Sequence, residues 1–223
     1  MGTLYIVSTP IGNLEDMTFR GIRVLKEVTL IAAEDTRHTR KLLSHYDIHT
    51  PMISFFEGNE EKRILQIITR INGGENIALV SDAGTPAISD PGFKLVRAAI
   101  QNSIKVEAIP GPSAAITALA VAGLPTDQFT FVGFLPDKEG KRLSKLTELA
   151  KINHTIVFYV SKWKIKKVIE DMLKIFGDRI AVMCRELTKV HEDIKRGTLS
   201  ELLTYVSSKE VKGEVTLIVG GEI

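Results

Sequence analysis

Short apolar segments alternate with longer amphipathic segments along the first half of the chain, and this alternation restricts the possible folds more than any other feature. Runs of strand character lie near residues 4–8, 30–33, 52–55, 77–80 and 106–109. The segments between them have helical periodicity, as in 60–71, where isoleucines recur at three- and four-residue spacing. Strands that alternate with helices predict a mostly parallel five-stranded sheet joined by crossover helices.

A proline-bounded turn and an alanine-rich helix, within residues 110–126, separate this half from the next. Strand patterns then resume near 129–134, 155–159, 180–184 and 215–219, and helical patterns lie near 141–150, 164–176 and 200–206. We therefore predict two α/β domains, residues 1–112 and residues 113–223.

Several classes of protein and site are excluded by what the chain lacks. The one cysteine, Cys184, rules out an intrachain disulfide and a multi-thiolate zinc site, and we expect it to be buried. No apolar run approaches the roughly 20 residues of a membrane span and the N-terminus lacks signal-peptide features, so we expect a cytoplasmic protein without membrane contact. Dinucleotide and phosphate-loop glycine spacings are absent, and His45 and His49 lack a third ligand, so we expect no metal.

Positive charge is concentrated in the second half of the chain. The whole sequence has 29 Lys and Arg against 27 Asp and Glu, a net charge of +2. Residues 1–130 hold 12 basic and 14 acidic side chains, whereas residues 131–223 hold 17 and 13. Two interpretations of this excess stay open, solvated helix faces and a phosphate-rich partner. The basic residues concerned include Lys138, Lys141, Arg142, Lys145, Lys151 and the segment KWKIKK at 162–167.

Turns rich in proline, glycine or charge follow four of the predicted N-terminal strands. They read STPIGN, AAEDTRHTRKLL, SDAGTPAISDPG and PGPSA, after the first, second, fourth and fifth strands. Because the carboxyl ends of parallel strands meet along one edge, where open α/β sheets bind ligands, we expect these turns to form a ligand site. Glycine permits close approach of the backbone and proline fixes φ, so Asp82 and Gly84 are its first candidates. We expect Asp90 to cap the following helix.

Charged residues after the second strand allow two interpretations. Asp35 and Thr36 have the pattern of a helix N-cap. Glu34, Asp35 and Arg37 also place charge at the expected ligand edge, which favours a functional role.

The turns belong to longer motifs that resemble one family. TPIGNLEDMTFRG, AEDTRHTRKLL, SDAGTPAISDPG, PGPSAAITALAVAGLPTDQFTFVGFLP and CRELTKVHED are similar to the ribosomal small-subunit RNA cytidine 2′-O-methyltransferase branch of the tetrapyrrole methylase superfamily. The resemblance implies two α/β domains, the second with a mixed sheet, and S-adenosylmethionine in a cleft between them. It also implies a homodimer that methylates a cytidine ribose of small-subunit ribosomal RNA, either free or in the assembled subunit.

The resemblance further implies which residues contact the cofactor. Carried onto the matching motifs, these are Pro10, Ile11, Asp82, Gly84, Thr85, Ser113, Ala114, Leu187 and Gly213.

One segment departs from the family pattern. Where that branch usually has YE-S/A-PHR, this chain has YVSKWKI from Tyr159, which puts RNA docking in question. Lys162, Trp163 and Lys164 are candidates to supply phosphate contact and base stacking instead. Core packing is the commoner environment for a single tryptophan, so that interpretation of Trp163 stays open and is favoured.

The implied reaction is displacement of the sulfonium methyl group by a ribose 2′-oxygen, which a positioned base assists by accepting the proton. Glu34 and Asp35 are the candidate bases, and Arg20 and Arg37 are candidate contacts to the RNA backbone. Two alternatives are a methyltransferase of the same fold that acts on a small molecule such as a tetrapyrrole, and an RNA-binding relative without catalysis.

Overall fold

The computed structural model describes residues 2–221, which form two compact units that divide between Ser113 and Ala114. None of the helices in this range has the length and apolar character needed to cross a membrane. The sequence prediction placed a domain boundary between residues 112 and 113. That these two parts are separate folding domains stays a prediction.

The first unit is built on the parallel five-stranded sheet expected from the sequence, in the order β3-β2-β4-β1-β5. All four residues of β2 and of β4 are buried, because helices cover both faces of the sheet and two apolar clusters fill the space beneath them. The strands are β1 (Thr3–Val7), β2 (Leu30–Ala33), β3 (Met52–Ser54), β4 (Ile77–Val80) and β5 (Lys105–Ile109).

The helices of the first unit begin where side chains satisfy their free backbone N–H groups. The Thr18 hydroxyl accepts from the Gly21 N–H at 3.0 Å, and the Asp35 carboxylate accepts from the Arg37 N–H at 2.8 Å. The capping interpretation of Asp35 is therefore confirmed. The helices are α1 (Phe19–Glu27), α2 (Thr36–His45), α3 (Glu60–Asn72) and α4 (Phe93–Gln101), preceded by a 3₁₀ turn at Leu14–Asp16.

The second unit has a mixed five-stranded sheet in the order β6-β7-β10-β8-β9, as the family resemblance implied. Only β6 and β7 are parallel, and the other neighbours are antiparallel. Cys184 in β8 is buried as expected, and burial raises its pKa to about 11. The strands are β6 (Phe129–Phe134), β7 (Thr155–Ser161), β8 (Ile180–Arg185), β9 (Asp193–Thr198) and β10 (Glu214–Val219), and the helices are α5 (Ala114–Ala122), α6 (Glu139–Leu149), α7 (Ile165–Phe176) and α8 (Leu199–Ser208).

Among residues 2–221, β9 is the one strand that the sequence patterns did not predict. Its sequence DIKRGT has a single large apolar residue, so no alternation marks it. It forms the edge of the sheet, where charged side chains are tolerated and oppose edge-to-edge association. Arg196 gives it a further attachment, since its Nε donates to the Ala122 carbonyl at the end of α5 at 3.2 Å.

One member of the basic group predicted from the sequence is not on the surface. Arg142 is buried, and its Nε donates to Asp171 Oδ2 at 2.7 Å, which joins α6 to α7. Arg142 Nη1 also donates to the Asp137 carbonyl at 2.9 Å. Its charge therefore serves packing within the second unit, and a phosphate-rich partner has no access to it.

Candidate functional site

The turns after β1 and β4 are joined by a short backbone bridge. The Thr9 N–H donates to the Gly84 carbonyl at 2.9 Å, and the Gly84 N–H donates back to the Thr9 carbonyl at 3.0 Å. Thr9 Oγ1 also donates to the Ser81 carbonyl at 3.1 Å. Gly84 has a φ of +82°, a conformation that disfavours side chains with a Cβ atom. The bridge therefore fixes the two predicted cofactor turns against each other.

The turn after β5 is attached to the same framework by hydroxyl groups. Ser8 Oγ lies 2.9 Å from Thr85 Oγ1, and Thr85 Oγ1 donates to the Pro112 carbonyl at 3.3 Å. Because the Thr85 hydroxyl has one proton, Ser8 is the donor in the first bond. A Cβ atom on Gly111 would lie 2.9 Å from Ser8 Cβ, so glycine is needed for this approach. Three strand ends are thus held together, as the sequence predicted.

Carboxylates connect the turns after β2 and β4. The Asp35 N–H donates to Asp82 Oδ1 at 3.1 Å, and the Asp82 N–H donates to Glu34 Oε2 at 3.4 Å. Burial raises the pKa of Glu34, and the nearby charges of Asp82 and Asp35 raise it further against the opposing backbone hydrogen bond. Glu34 therefore holds its proton more strongly than an exposed glutamate does.

Asp90 belongs to this carboxylate group and does not cap the following helix. The N-cap of α4 is Gly92, with a φ of +140°, and no side chain accepts a hydrogen bond there. A Cβ atom at Gly92 would lie 2.7 Å from Leu79 Cδ2, so the chain enters α4 through a turn that only glycine fits. The cap prediction for Asp90 was wrong for this reason. Burial, together with the charges of Glu34 and Asp82, raises the pKa of Asp90 to about 6 although a Ser81 hydrogen bond opposes the shift.

Asp35 and Arg37, predicted as a base and an RNA contact, are bound to each other. Arg37 Nε and Nη2 donate to the two Asp35 carboxylate oxygens at 3.2 and 2.8 Å. These hydrogen bonds and the Arg37 charge hold the pKa of Asp35 well below its usual range. Arg20, the other predicted contact, is exposed, and its Nη2 donates to the Ala108 carbonyl in β5 at 3.3 Å.

In the second unit, Leu187 and Gly213 lie in two turns that Glu186 joins. The Glu186 N–H donates to the Glu214 carbonyl at 2.9 Å, and Glu186 Oε1 accepts from the Glu214 N–H and from Lys189 Nζ, each at 2.9 Å. Burial acts to raise the pKa of Glu186, but these two donors outweigh it and hold the pKa below its ordinary value. Leu187 is buried beside this connection.

The segment that departs from the family pattern is exposed. Trp163 is 78% exposed, so the favoured core-packing interpretation of this residue was wrong. Lys162 Nζ lies 4.6 Å from the centroid of its ring. Lys164, by contrast, is paired with Asp137.

Sequence reasoning missed four residues that build the first unit's part of the site, namely Ser8, Thr9, Ser81 and Asp90. Ser8, Thr9 and Ser81 are buried polar residues next to strand ends. Such residues need partners, and that requirement is the signal that would have identified them.

We expect Gly213→Ala to destabilise the protein by at least about 2 kcal/mol, because the φ of +86° is unfavourable for alanine and the new Cβ would lie 2.3 Å from Glu186 Cδ. Urea unfolding measures the change. Gly140→Ala is the matched control, since nothing lies within 4 Å of its Cβ position in α6. That control should be neutral or slightly stabilising. Equal effects of the two substitutions would show that this turn does not require glycine at position 213.

We expect Asp90→Asn to stabilise the protein more at neutral than at acidic pH. Well below pH 3.8 the Asp90 carboxyl is protonated in both the folded and the unfolded protein. As the pH rises from 3.8 to about 6, the unfolded chain releases this proton before the folded protein does, so stability falls. Above about pH 6 the folded protein bears the full free-energy cost of holding Asp90 as a buried carboxylate. The variant removes it and should gain about 2 kcal/mol more at pH 7 than at pH 4 by urea unfolding. The exposed Asp127→Asn is the control, and a gain for Asp90→Asn that does not depend on pH would refute the assignment.

Comparison with known proteins identifies the family. Residues 3–203 match the model of the tetrapyrrole (corrin/porphyrin) methylases. The chain is 52% identical over 220 residues to a protein of Halalkalibacterium halodurans named ribosomal RNA small subunit methyltransferase I, which covers 99% of this chain and 76% of that protein. A protein of the same name from Thermotoga maritima is 46% identical over 222 residues, with 100% of both chains covered.

A solved methyltransferase structure has a similar fold. The structure of uroporphyrin-III C-methyltransferase from Thermus thermophilus, complexed with S-adenosylhomocysteine, aligns with a TM-score of 0.69 over 98% of this chain and 97% of that chain, at 18% identity. At this identity the likeness concerns the fold alone, and it confirms the expectation of two α/β domains. The family match over residues 3–203 and the identity of about half of all residues to the named relatives show that this chain belongs to the tetrapyrrole methylase family.

Proposed function

We propose that this protein transfers the methyl group of S-adenosylmethionine to the ribose 2′-oxygen of a cytidine in small-subunit ribosomal RNA. The observation that carries the proposal is the identity of about half of all residues, along the whole chain, with relatives named ribosomal RNA small subunit methyltransferase I. The cytidine and its 2′-oxygen are the finer part of the proposal, and the long motifs TPIGNLEDMTFRG and SDAGTPAISDPG support them by resemblance.

The turns of the first unit suit the cofactor chemically. S-adenosylmethionine combines a sulfonium cation with hydroxyl and amino groups, for which the Asp82 carboxylate and the backbone around Gly84 are fitting partners. The bridge from Thr9 to Gly84 holds this backbone in place before the ligand binds, which lowers the entropic cost of binding. The proposed cofactor residues are Pro10, Ile11, Asp82, Gly84, Thr85 and Ser113 of the first unit, with Ala114, Leu187 and Gly213 of the second.

Glu34 is a better candidate base than Asp35. The raised pKa of Glu34 makes its carboxylate a stronger proton acceptor, and no arginine neutralises it among residues 2–221. Both oxygens of Asp35 accept from Arg37, which lowers its basicity. In the proposed reaction the 2′-oxygen forms a bond to the methyl carbon, the carbon–sulfur bond breaks, and the hydroxyl proton passes to Glu34.

The proposed RNA contacts differ in how much charge they offer. Arg37 and Lys164 each have a carboxylate partner, so an incoming phosphate must compete for them. Lys162 and the exposed Trp163 combine an ammonium group with an aromatic face, which suits a nucleotide in a flexible strand. Arg20 completes the set of proposed contacts.

We further propose a cytoplasmic homodimer. The cytoplasmic location follows from the proposed substrate, because small ribosomal subunits are found there. Exposed apolar side chains account for a subunit interface, since Phe19 is 94% and Phe93 65% exposed in the single chain.

Transfer of a labelled methyl group tests the proposed function. The protein is incubated with radiolabelled cofactor and either small ribosomal subunits or tetrapyrroles, and nuclease digestion locates the label. We expect it on a cytidine 2′-oxygen and expect none with Asp82→Ala, which should also lose cofactor binding in calorimetry. Asp47→Ala, an exposed aspartate of the same unit, is the control and should bind normally. Label on a base, or on tetrapyrrole alone, would refute the proposal.

We expect Glu34→Gln to lower kcat at least about 100-fold with cofactor affinity unchanged, because the amide cannot accept the proton. The wild-type kcat should rise with pH through the raised pKa of Glu34, and this rise should be missing in the variant. Asp35→Asn keeps the N-cap and is the matched control, with kcat within about threefold of wild type. Equal losses in the two variants would show that Glu34 is not the base.

A further inference from the structure

A charged cavity lies in the second unit, lined by none of the proposed cofactor or RNA residues. It has a volume of about 270 Å³. Its walls come from the end of β8, the turn before β9, Tyr205 in the last turn of α8 and the segment that leads into β10. The residues important here are Arg185, His191, Tyr205, Lys209, Glu210 and Lys212.

Positive charge exceeds negative charge around this cavity. Arg185, Lys209 and Lys212 line it, and Lys195 in β9 reaches the same Tyr205 ring. Two carboxylates oppose these four cations. Glu210 lies 3.5 Å from Lys212, and Asp193 lies 3.9 Å from Arg185 and accepts a hydrogen bond from the Tyr205 hydroxyl at 2.5 Å.

The Tyr205 ring holds two of the cations without neutralising them. Lys209 Nζ lies 4.1 Å and Lys195 Nζ 5.3 Å from the ring centroid. Neither ammonium group has a carboxylate within salt-bridge distance among residues 2–221. A cation–π contact orients an ammonium group but leaves its full charge, so both remain able to bind an anion.

The cavity also uses a part of the family motif that the cofactor proposal leaves out. In CRELTKVHED, Leu187 is the proposed cofactor contact and Glu186 with Lys189 forms the turn. Arg185 and His191 of the same motif line the cavity. The backbone supports this arrangement, since Arg185 Nη1 donates to the Lys212 carbonyl at 3.4 Å.

We propose that this cavity binds a phosphate group of the substrate RNA backbone, as an RNA contact region in addition to Lys162 and Trp163. The inference rests on the proposed function. The volume lies below the roughly 300–1,000 Å³ of sites for larger organic ligands and suits one phosphate with its ribose. Lys209 and Lys212 are exposed, so a phosphate on a polymer can reach them, whereas selective sites for free anions use rigid backbone N–H groups.

The charge reversals K209E/K212E test the proposal. The KM for small ribosomal subunits is measured from initial rates between about 50 and 200 mM salt, with kcat determined at saturating subunits. We expect KM to rise on the order of tenfold, the slope of log KM against log salt to fall by about 1 per lysine, and kcat and cofactor affinity to remain unchanged. K62E/K174E changes the charge equally at two exposed helical lysines outside the cavity and is the control.

The outcomes separate this inference from the proposed function. If wild-type protein methylates ribosomal RNA but K209E/K212E matches K62E/K174E in KM and salt slope, the RNA contact is refuted. If the cavity variant loses only the binding of inorganic phosphate, the cavity is a site for small anions and the proposal is also refuted. The neutral variant K209A/K212A should show the same direction with a smaller effect, which excludes an artefact of the introduced negative charges. Failure of wild-type methylation would instead refute the proposed function.

Discussion

The pair of backbone hydrogen bonds between Thr9 and Gly84 is the contact on which the candidate site of the first unit depends. Parallel strands bring β1 and β4 side by side, but that pairing alone leaves the turns beyond them free to diverge. An antiparallel bridge joins the two segments again past the strand ends, and the hydroxyls of Ser8 and Thr85 connect them to Pro112. A ligand that binds these turns therefore meets a surface that is already ordered, so its binding energy is not spent on loop closure.

The same strand order explains the unusual carboxyl groups. Because β2 and β4 are neighbours, the residues that follow them place Glu34 beside Asp82, and the turn before α4 returns Asp90 to the same region. Burial and mutual repulsion then raise the pKa of Glu34 and of Asp90. Asp35 escapes this effect because its carboxylate points to the start of α2 and to Arg37. The pKa values of these adjacent residues therefore shift in opposite directions, because burial dominates at Glu34 and the hydrogen bonds to Arg37 dominate at Asp35.

Periodicity predicted the elements whose apolar faces are buried, and it failed where contacts from distant residues decide the structure. Strands such as Leu30–Ala33 and Ile77–Val80 are apolar throughout and were predicted with their observed bounds. Strand β9 depends on pairing with β8 and on Arg196, neither of which leaves a local pattern. Asp90 matched the cap pattern locally, but α4 begins only at Phe93, so the N-cap position falls on Gly92, where a Cβ atom would collide with Leu79. The exposure of Trp163 likewise follows from its position in a surface turn, which composition does not report.

In the two surfaces proposed to bind RNA, the neighbours of each basic side chain decide whether it is available to a phosphate. Arg142 has the same formal charge as Lys209, but it forms a buried ion pair with Asp171 and cannot contact a partner. Lys164 and Arg37 are exposed but carry their own carboxylates. Lys162 and Lys209 instead lie against aromatic rings, which restrict their motion and leave their charge intact. A polyanion therefore gains most from these lysines, because it need not displace a bound carboxylate before it makes contact.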